Sequence, residues 1–153
     1  MSEQEHSLRL TRIVRAERPK VFAAWTEAEH LRRWSCPEGA TVEEAEVDLV
    51  VGGRYRISMR TADGSLVTAS GVYREIEPPR RLAYTWDWEQ GAHRMDRDTL
   101  VTVLFEERDG ATEVTLTHER LPDAAATDGH RVGWESCLNR LEPALATASM
   151  ASS

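Results

Sequence analysis

The side chains able to do chemistry are scattered along this chain rather than clustered. Its five histidines are His6, His30, His93, His118 and His130. None forms an i, i+4 pair or joins a tight run with cysteine or carboxylate. A metal needs ligands in a defined short-range geometry, so no metal site is expected, and no cofactor. Cys36 and Cys137, the two cysteines, match no zinc or redox spacing and read as reduced thiols of a cytoplasmic protein. Cys137 falls on an apolar helical stripe, where cysteine behaves as a small hydrophobe. A reactive thiolate would need an electropositive neighbour, and none is evident beside it in the sequence. There is no G-x-S-x-G elbow. Glu75, Asp87, Glu119 and Glu135 are candidates for acid–base work, since an apolar pocket raises a carboxylate pKa. Alternation nevertheless points Asp87 to solvent, and Glu135 falls on the outer side of its helix. His118 is the better candidate for a polar group at one end of a pocket, because it shares a strand face with Val114 and Leu116. Its plainer reading is a hydrogen-bonded core residue, and no catalytic residue is assigned.

The aromatic set carries more information. Five Trp, three Tyr and two Phe make it tryptophan-heavy. Trp25 and Trp34 come from two short helical segments. Tyr55, Tyr84, Trp86 and Trp88 come from strand faces, and Trp134 comes from the last helix. Met59, Val101, Val103 and Phe105 share the presumed inner face of the sheet with His118. Cys137, Leu138 and Leu141 continue the helical stripe of Trp134. Plain core packing explains much of this convergence. The functional reading is that these residues line an apolar cavity, the usual form of a small-molecule site.

The elements that must position them are legible from period and punctuation. Residues 8–15 alternate as a first strand. Pro19 suits the first turn of a helix, and Thr26 followed by Glu29 has the spacing of a capping box opening a second. Gly52–Gly53 precedes a strand on which Tyr55, Ile57 and Met59 share a face. Asp48 before it is expected to accept backbone N–H bonds through its side chain, and the acidic run 43–48 to form a solvated strand face. Asp63–Gly64 and Asp109–Gly110 are hairpin signals, Pro78–Pro79 ends a strand, and residues 89–97 form a longer polar loop. Short strands joined by tight turns predict an antiparallel meander. A long helix starts near Ala124 and crosses the sheet. It is expected to end near Glu142 or kink, because the ring of Pro143 would meet the carbonyl of Asn139. Gly129 and Gly133 lie on one side of this helix, predicting that a strand or loop comes close there, as glycine permits. Strand, two short helices, strands, then one long helix is an α+β layout.

The totals narrow the classes further. The chain of 153 residues reads as one domain, with an ordered core of about 7–146 and a fraying ATASMASS tail. Nineteen basic residues against 26 acidic ones leave a net charge of −7. No basic face for nucleic acid is evident. No run approaches a membrane span, and the polar N-terminus does not look like a signal peptide. A homodimer is a further expectation, through Leu66, Val72 and Ile76 on the outer sheet face.

Six pieces in order carry a family resemblance. They are VFAAWTEAEHLRRW at 21–34, Asp48 with GGRYR at 52–56, GVYREIEPPRRLAYTW at 71–86, TLVTVLFEE at 99–107, TEVTLTHERLPD at 112–123 and GHRVGWESCLNRLE at 129–142. Together they resemble the SRPBCC (START-like) superfamily and, within it, homologues of the activator of heat-shock protein 90 ATPase. The resemblance implies a helix-grip fold: a curved antiparallel sheet of about six to seven strands around a long C-terminal helix, with two short helices plugging one end. It also implies a choice of functions. Members bind or transfer hydrophobic ligands, act as polyketide cyclases or aromatases, or serve as cochaperones. The leading expectation is a carrier or sensor of a lipid or aromatic metabolite, more a binding protein than an enzyme. The cochaperones carry a further N-terminal domain, whereas a short polar segment precedes the first strand here, so a chaperone partner is the least expected of the three.

Overall fold

The computed structural model describes residues 6–89, 91 and 94–151, with side chains to Leu145. The elements are β1 (His6–Val14), α1 (Arg18–Thr26), α2 (Ala28–Trp34), β2 (Thr41–Val47), β3 (Arg54–Arg60), β4 (Leu66–Glu77), β5 (Arg81–Trp88), β6 (Thr99–Arg108), β7 (Ala111–Leu121) and α3 (Ala124–Ala151). Seven strands form one sheet in the order β1-β7-β6-β5-β4-β3-β2. Every neighbouring pair is antiparallel. Strands β2 to β7 are a meander, and β1 closes on the far edge against β7. The chain must therefore cross the whole sheet between β1 and β2, and α1 and α2 make that crossing. Helix α3 packs on α2, β1, α1 and β7. The result is the helix-grip α+β fold, with its core between the curved sheet and the three helices.

The punctuation works largely as composition predicts. Asp63 holds the β3–β4 turn by accepting the Ser65 N–H at 2.9 Å and the Thr61 hydroxyl. These bonds, the hydroxyl first, pull its pKa down to about 2. Asp109 and Gly110 both take positive φ, as a tight hairpin requires. Glu43 forms a two-pronged pair with Arg60 on the solvated face of β2. Asp48 serves its turn through its backbone, donating to Arg54 O at 2.9 Å and accepting from Val50 N–H at 2.8 Å.

Four expectations need correction. Strand β1 begins earlier and ends earlier than residues 8–15. Thr26 does not cap α2: it is the buried last residue of α1, and its hydroxyl donates back to Phe22 O at 3.0 Å. The break falls at Glu27, whose extended backbone separates the two helices without a side-chain cap. Helix α3 does not end near Glu142 but runs through Pro143 to Ala151. Tertiary contacts hold it there. Arg12 donates to Asn139 at 2.7 Å, Arg15 N–H to Glu142 at 2.7 Å, and Ala144 and Leu145 pack on the core. Residues 152 and 153 of the tail, and the side chains of 146–151, lie outside the described residues.

The fourth correction concerns the glycines. Close backbone approach occurs at Gly71 and Gly53, not on α3. A Cβ on Gly71 would fall 1.9 Å from Thr85 O, and one on Gly53 2.2 Å from Asp48 O. Tyr55 pairs with Gly71 in register. Its hydroxyl reaches past that bare backbone to donate to Thr85 O on β5. At Gly129 and Gly133 an added Cβ would meet nothing within 4 Å.

Candidate functional site

A cavity of about 490 Å³ lies between the first half of α3 and the end of β5. Trp86 and Trp88 of β5, Met59 of β3 and Met95 before β6 form one side. Ala125, Ala126, Gly129, His130, Gly133, Trp134 and Cys137 of α3 form the other. Ser35, Pro37, Arg94, Pro122 and Asp123 complete the rim. Asp123 starts the helix in the right place: its carboxylate accepts the Ala126 N–H at 2.8 Å, the usual N-cap bond. At the other end of this face, Arg140 donates to Cys36 O at 3.0 Å and contacts Cys36 Sγ at 2.9 Å. Glu38 N–H donates to Ser136 at 2.8 Å. These bonds tie the α2–β2 loop to α3 beside the cavity.

Behind Trp86 and Trp134 the interior is nearly filled. A void of about 20 Å³ remains, lined by Trp25, Trp34, Tyr55, Tyr84, Trp86 and Trp134 among others. Trp25 stacks edge-on against Trp34 with centroids 4.5 Å apart. Their N–H groups go to Tyr84 OH at 3.2 Å and Ala24 O at 2.9 Å. Burial pushes the Tyr55 and Tyr84 hydroxyls up, so both stay protonated donors or acceptors.

The predicted residues thus divide into three groups, with His118 apart from them. Met59, Trp86, Trp88, Trp134 and Cys137 stand on the main cavity. Trp25, Trp34, Tyr55 and Tyr84 surround the inner void. Val101, Val103, Phe105, Leu138 and Leu141 are buried in the core. His118, with no exposed surface, stands behind the cavity wall. Trp134 Nε1–H donates to His118 Nδ1 at 3.1 Å. The tautomer is then settled: Nε2 carries the proton and donates to Thr99 Oγ1 at 2.7 Å. Thr99 passes the relay on to Trp86 O. Burial, with His130 adding to it, lowers the His118 pKa to about 3. A neutral imidazole bonded at both nitrogens fixes the Trp134 ring and links it, through Thr99, to the backbone of Trp86.

His130 is the histidine on the cavity, about one turn before Trp134 on α3. Its Nε2 accepts from Trp88 Nε1 at 3.2 Å, and its Nδ1 lies 2.7 Å from Ala126 O. The rings of His118 and His130 are 5.0 Å apart between centroids. Among the described residues no group of three His, Cys, Asp or Glu side chains could hold a metal. The rim residues Arg94, Met95 and Asp123 sit in loops or at a helix start, where no period marks them. The candidate carboxylates lie off the wall: Glu75 pairs with Arg81 at 2.7 Å, and Asp87 accepts the N–H groups of Met95 and Asp96. Cys137 is held protonated, with its pKa pushed up to about 12 by burial and by nearby Cys36 against the pull of Arg140. The electropositive neighbour missing from the linear reading does exist, but burial outweighs it.

A curved antiparallel sheet gripping one long helix, with a tryptophan-walled cavity at the start of that helix, defines a START-like helix-grip domain. The chain belongs to the family described as Activator of Hsp90 ATPase homolog 1-like protein, whose model matches residues 15–146. Solved structures agree along nearly the full length. A protein of Chromobacterium violaceum is 25% identical with a TM-score of 0.83, covering 91% of this chain and 96% of its own. The AHSA1 protein of Silicibacter pomeroyi is 28% identical with a TM-score of 0.82, covering 94% and 99%. An HSP90 activator of Plasmodium falciparum is 26% identical with a TM-score of 0.72, covering 92% and 96%. No curated protein matches the chain. Among the described residues no helix is long and apolar enough to cross a membrane.

Proposed function

We propose that this protein binds a hydrophobic small molecule, a lipid or an aromatic metabolite, in the cavity at the start of α3, as a carrier or sensor. The observation that carries the reading is the cavity: about 490 Å³ walled by three indoles and two methionines. Ligand sites typically span roughly 300–1,000 Å³ and are mostly apolar. The hydroxyl, carboxylate, guanidinium and imidazole groups on the wall favour binding over cyclase or aromatase chemistry, because they are tied to the scaffold. The Ser35 hydroxyl donates to Leu31 O, Asp123 caps α3, Arg94 pairs with Asp96 at 2.7 Å, and His130 holds Trp88. General acid–base catalysis needs a group within reach of substrate and available to it. Thermal denaturation against a panel of lipids and aromatic metabolites tests the reading. A true ligand at about 100 times its dissociation constant adds about 2.7 kcal/mol, which raises Tm by about 5 °C or more in a chain of this size. A panel that leaves Tm unmoved contradicts the proposal.

The family description and the Plasmodium activator favour a second reading, stimulation of an Hsp90-type ATPase. A direct ATPase assay separates the two. Stimulation that survives blocking of the cavity would support the chaperone reading on its own.

A further inference from the structure

Gly129 and Gly133 sit inside a helix, where glycine is the least favoured residue after proline. Three things can explain glycine in such a place, and two are absent. Neither residue is among those with positive φ. Neither is pressed by a neighbour, since an added Cβ would meet nothing within 4 Å. What remains is room, and both residues border the cavity. The cavity face of α3 has two ridges. Ala126, His130 and Trp134 form one. Ala125, Gly129 and Gly133, four residues apart in turn, form the other, and it carries almost no side chain. Across the space stand Trp86 and Trp88, 5.5 Å apart and edge-on to each other. Two of the three cavity indoles spend their N–H groups on histidines, whereas Trp86 Nε1 is buried with no protein partner.

We infer that Gly129 and Gly133 are specificity-determining residues. They keep one side of the cavity bare, so that it admits a flat ring system with a hydrogen-bond acceptor, laid between the helix backbone and the Trp86–Trp88 wall, in preference to a flexible acyl chain. The inference rests on the binding function proposed above and names the shape that function selects. Aromatic ligands are held by offset and edge-on ring contacts, and bare backbone lets a ring approach α3 closely.

Two probes with the same hydroxyl, 2-naphthol and 1-decanol, test it by calorimetric titration of the full chain and of Gly129→Ala, Gly133→Ala and Gly133→Leu. The wild type is expected to bind the naphthol more tightly. Gly133→Leu is expected to lose naphthol affinity by about tenfold or more, the scale on which hydrophobic pockets discriminate. The alanine variants are expected to bind the naphthol more weakly while raising Tm by about 2–4 °C, because alanine is the better helix former. Opposite signs for stability and binding are what a space-keeping role requires. An equal or better fit of the decanol, unchanged naphthol affinity in Gly133→Leu, or a fall in Tm in both alanine variants would overturn the inference while leaving binding itself intact. A wild type that takes up neither probe and no member of the lipid and metabolite panel would overturn the binding function and this inference with it.

Discussion

At the scale of single residues, the His118 ring decides how the cavity wall is built. Its Nδ1 accepts a hydrogen bond from Trp134 and its Nε2–H donates one to Thr99, so the imidazole must be neutral for the relay to hold. The consequence for stability has a definite sign. The unfolded chain binds a proton at His118 near pH 6.5, whereas the folded chain resists it until about pH 3. The contribution is therefore whole above about pH 6.5 and is lost as pH falls through the window below it, by at most about 1.4 kcal/mol per pH unit. His118→Gln removes this dependence along with the wall's anchor. Urea unfolding of both proteins at about pH 7 and about pH 5 is expected to show a stability gap that narrows on acidification. A gap of constant size would mean that the histidine is not buried neutral.

At the scale of elements, the helices and strands were legible because their periods are clean. Tyr55, Ile57 and Met59 alternate on β3, Leu82, Tyr84 and Trp86 on β5, and all six are buried. The hairpins followed from Asp63–Gly64 and Asp109–Gly110. What stayed hidden depends on contacts between distant segments. Pro143 is carried inside α3 because Arg12, Arg15 and the core grip the helix around it, and no local rule encodes that grip. The glycines teach the same lesson in reverse. Spacing alone could not tell Gly71, which β5 presses against, from Gly133, which faces open space. The two should answer substitution differently. Gly71→Ala drives a methyl into the Thr85 carbonyl and is expected to destabilise by about 3 kcal/mol or more, on the scale of overpacking and backbone strain together. Chemical denaturation reads this directly, and a loss under about 1 kcal/mol would show that β4 and β5 can part at little cost.

The candidate site was only half legible for a related reason. Trp86, Trp88 and Trp134 announced themselves by size and face, and they do stand on the cavity. The deeper residues Trp25, Trp34, Tyr55 and Tyr84 share the same pattern in sequence, yet they pack on one another around a much smaller void. Periodicity says which side of an element faces inward. It does not say how far the interior is filled, which depends on how large side chains from separate elements interlock.

At the scale of the whole molecule, the sheet and α3 enclose a filled interior at the Trp25–Trp34 end and an open one at the Asp123 end. That asymmetry underlies the proposed function: space is kept beside the start of α3, where the proposed ligand would bind, and the interior behind Trp86 and Trp134 is filled. Native mass spectrometry of the protein purified from its own host tests this most directly, with the chain after incubation with the lipid and metabolite panel as its companion. The account predicts a discrete added mass of a few hundred daltons, retained through gentle desolvation and lost on heating, consistent with one small molecule in one cavity. The bare mass of the chain in both samples would contradict it.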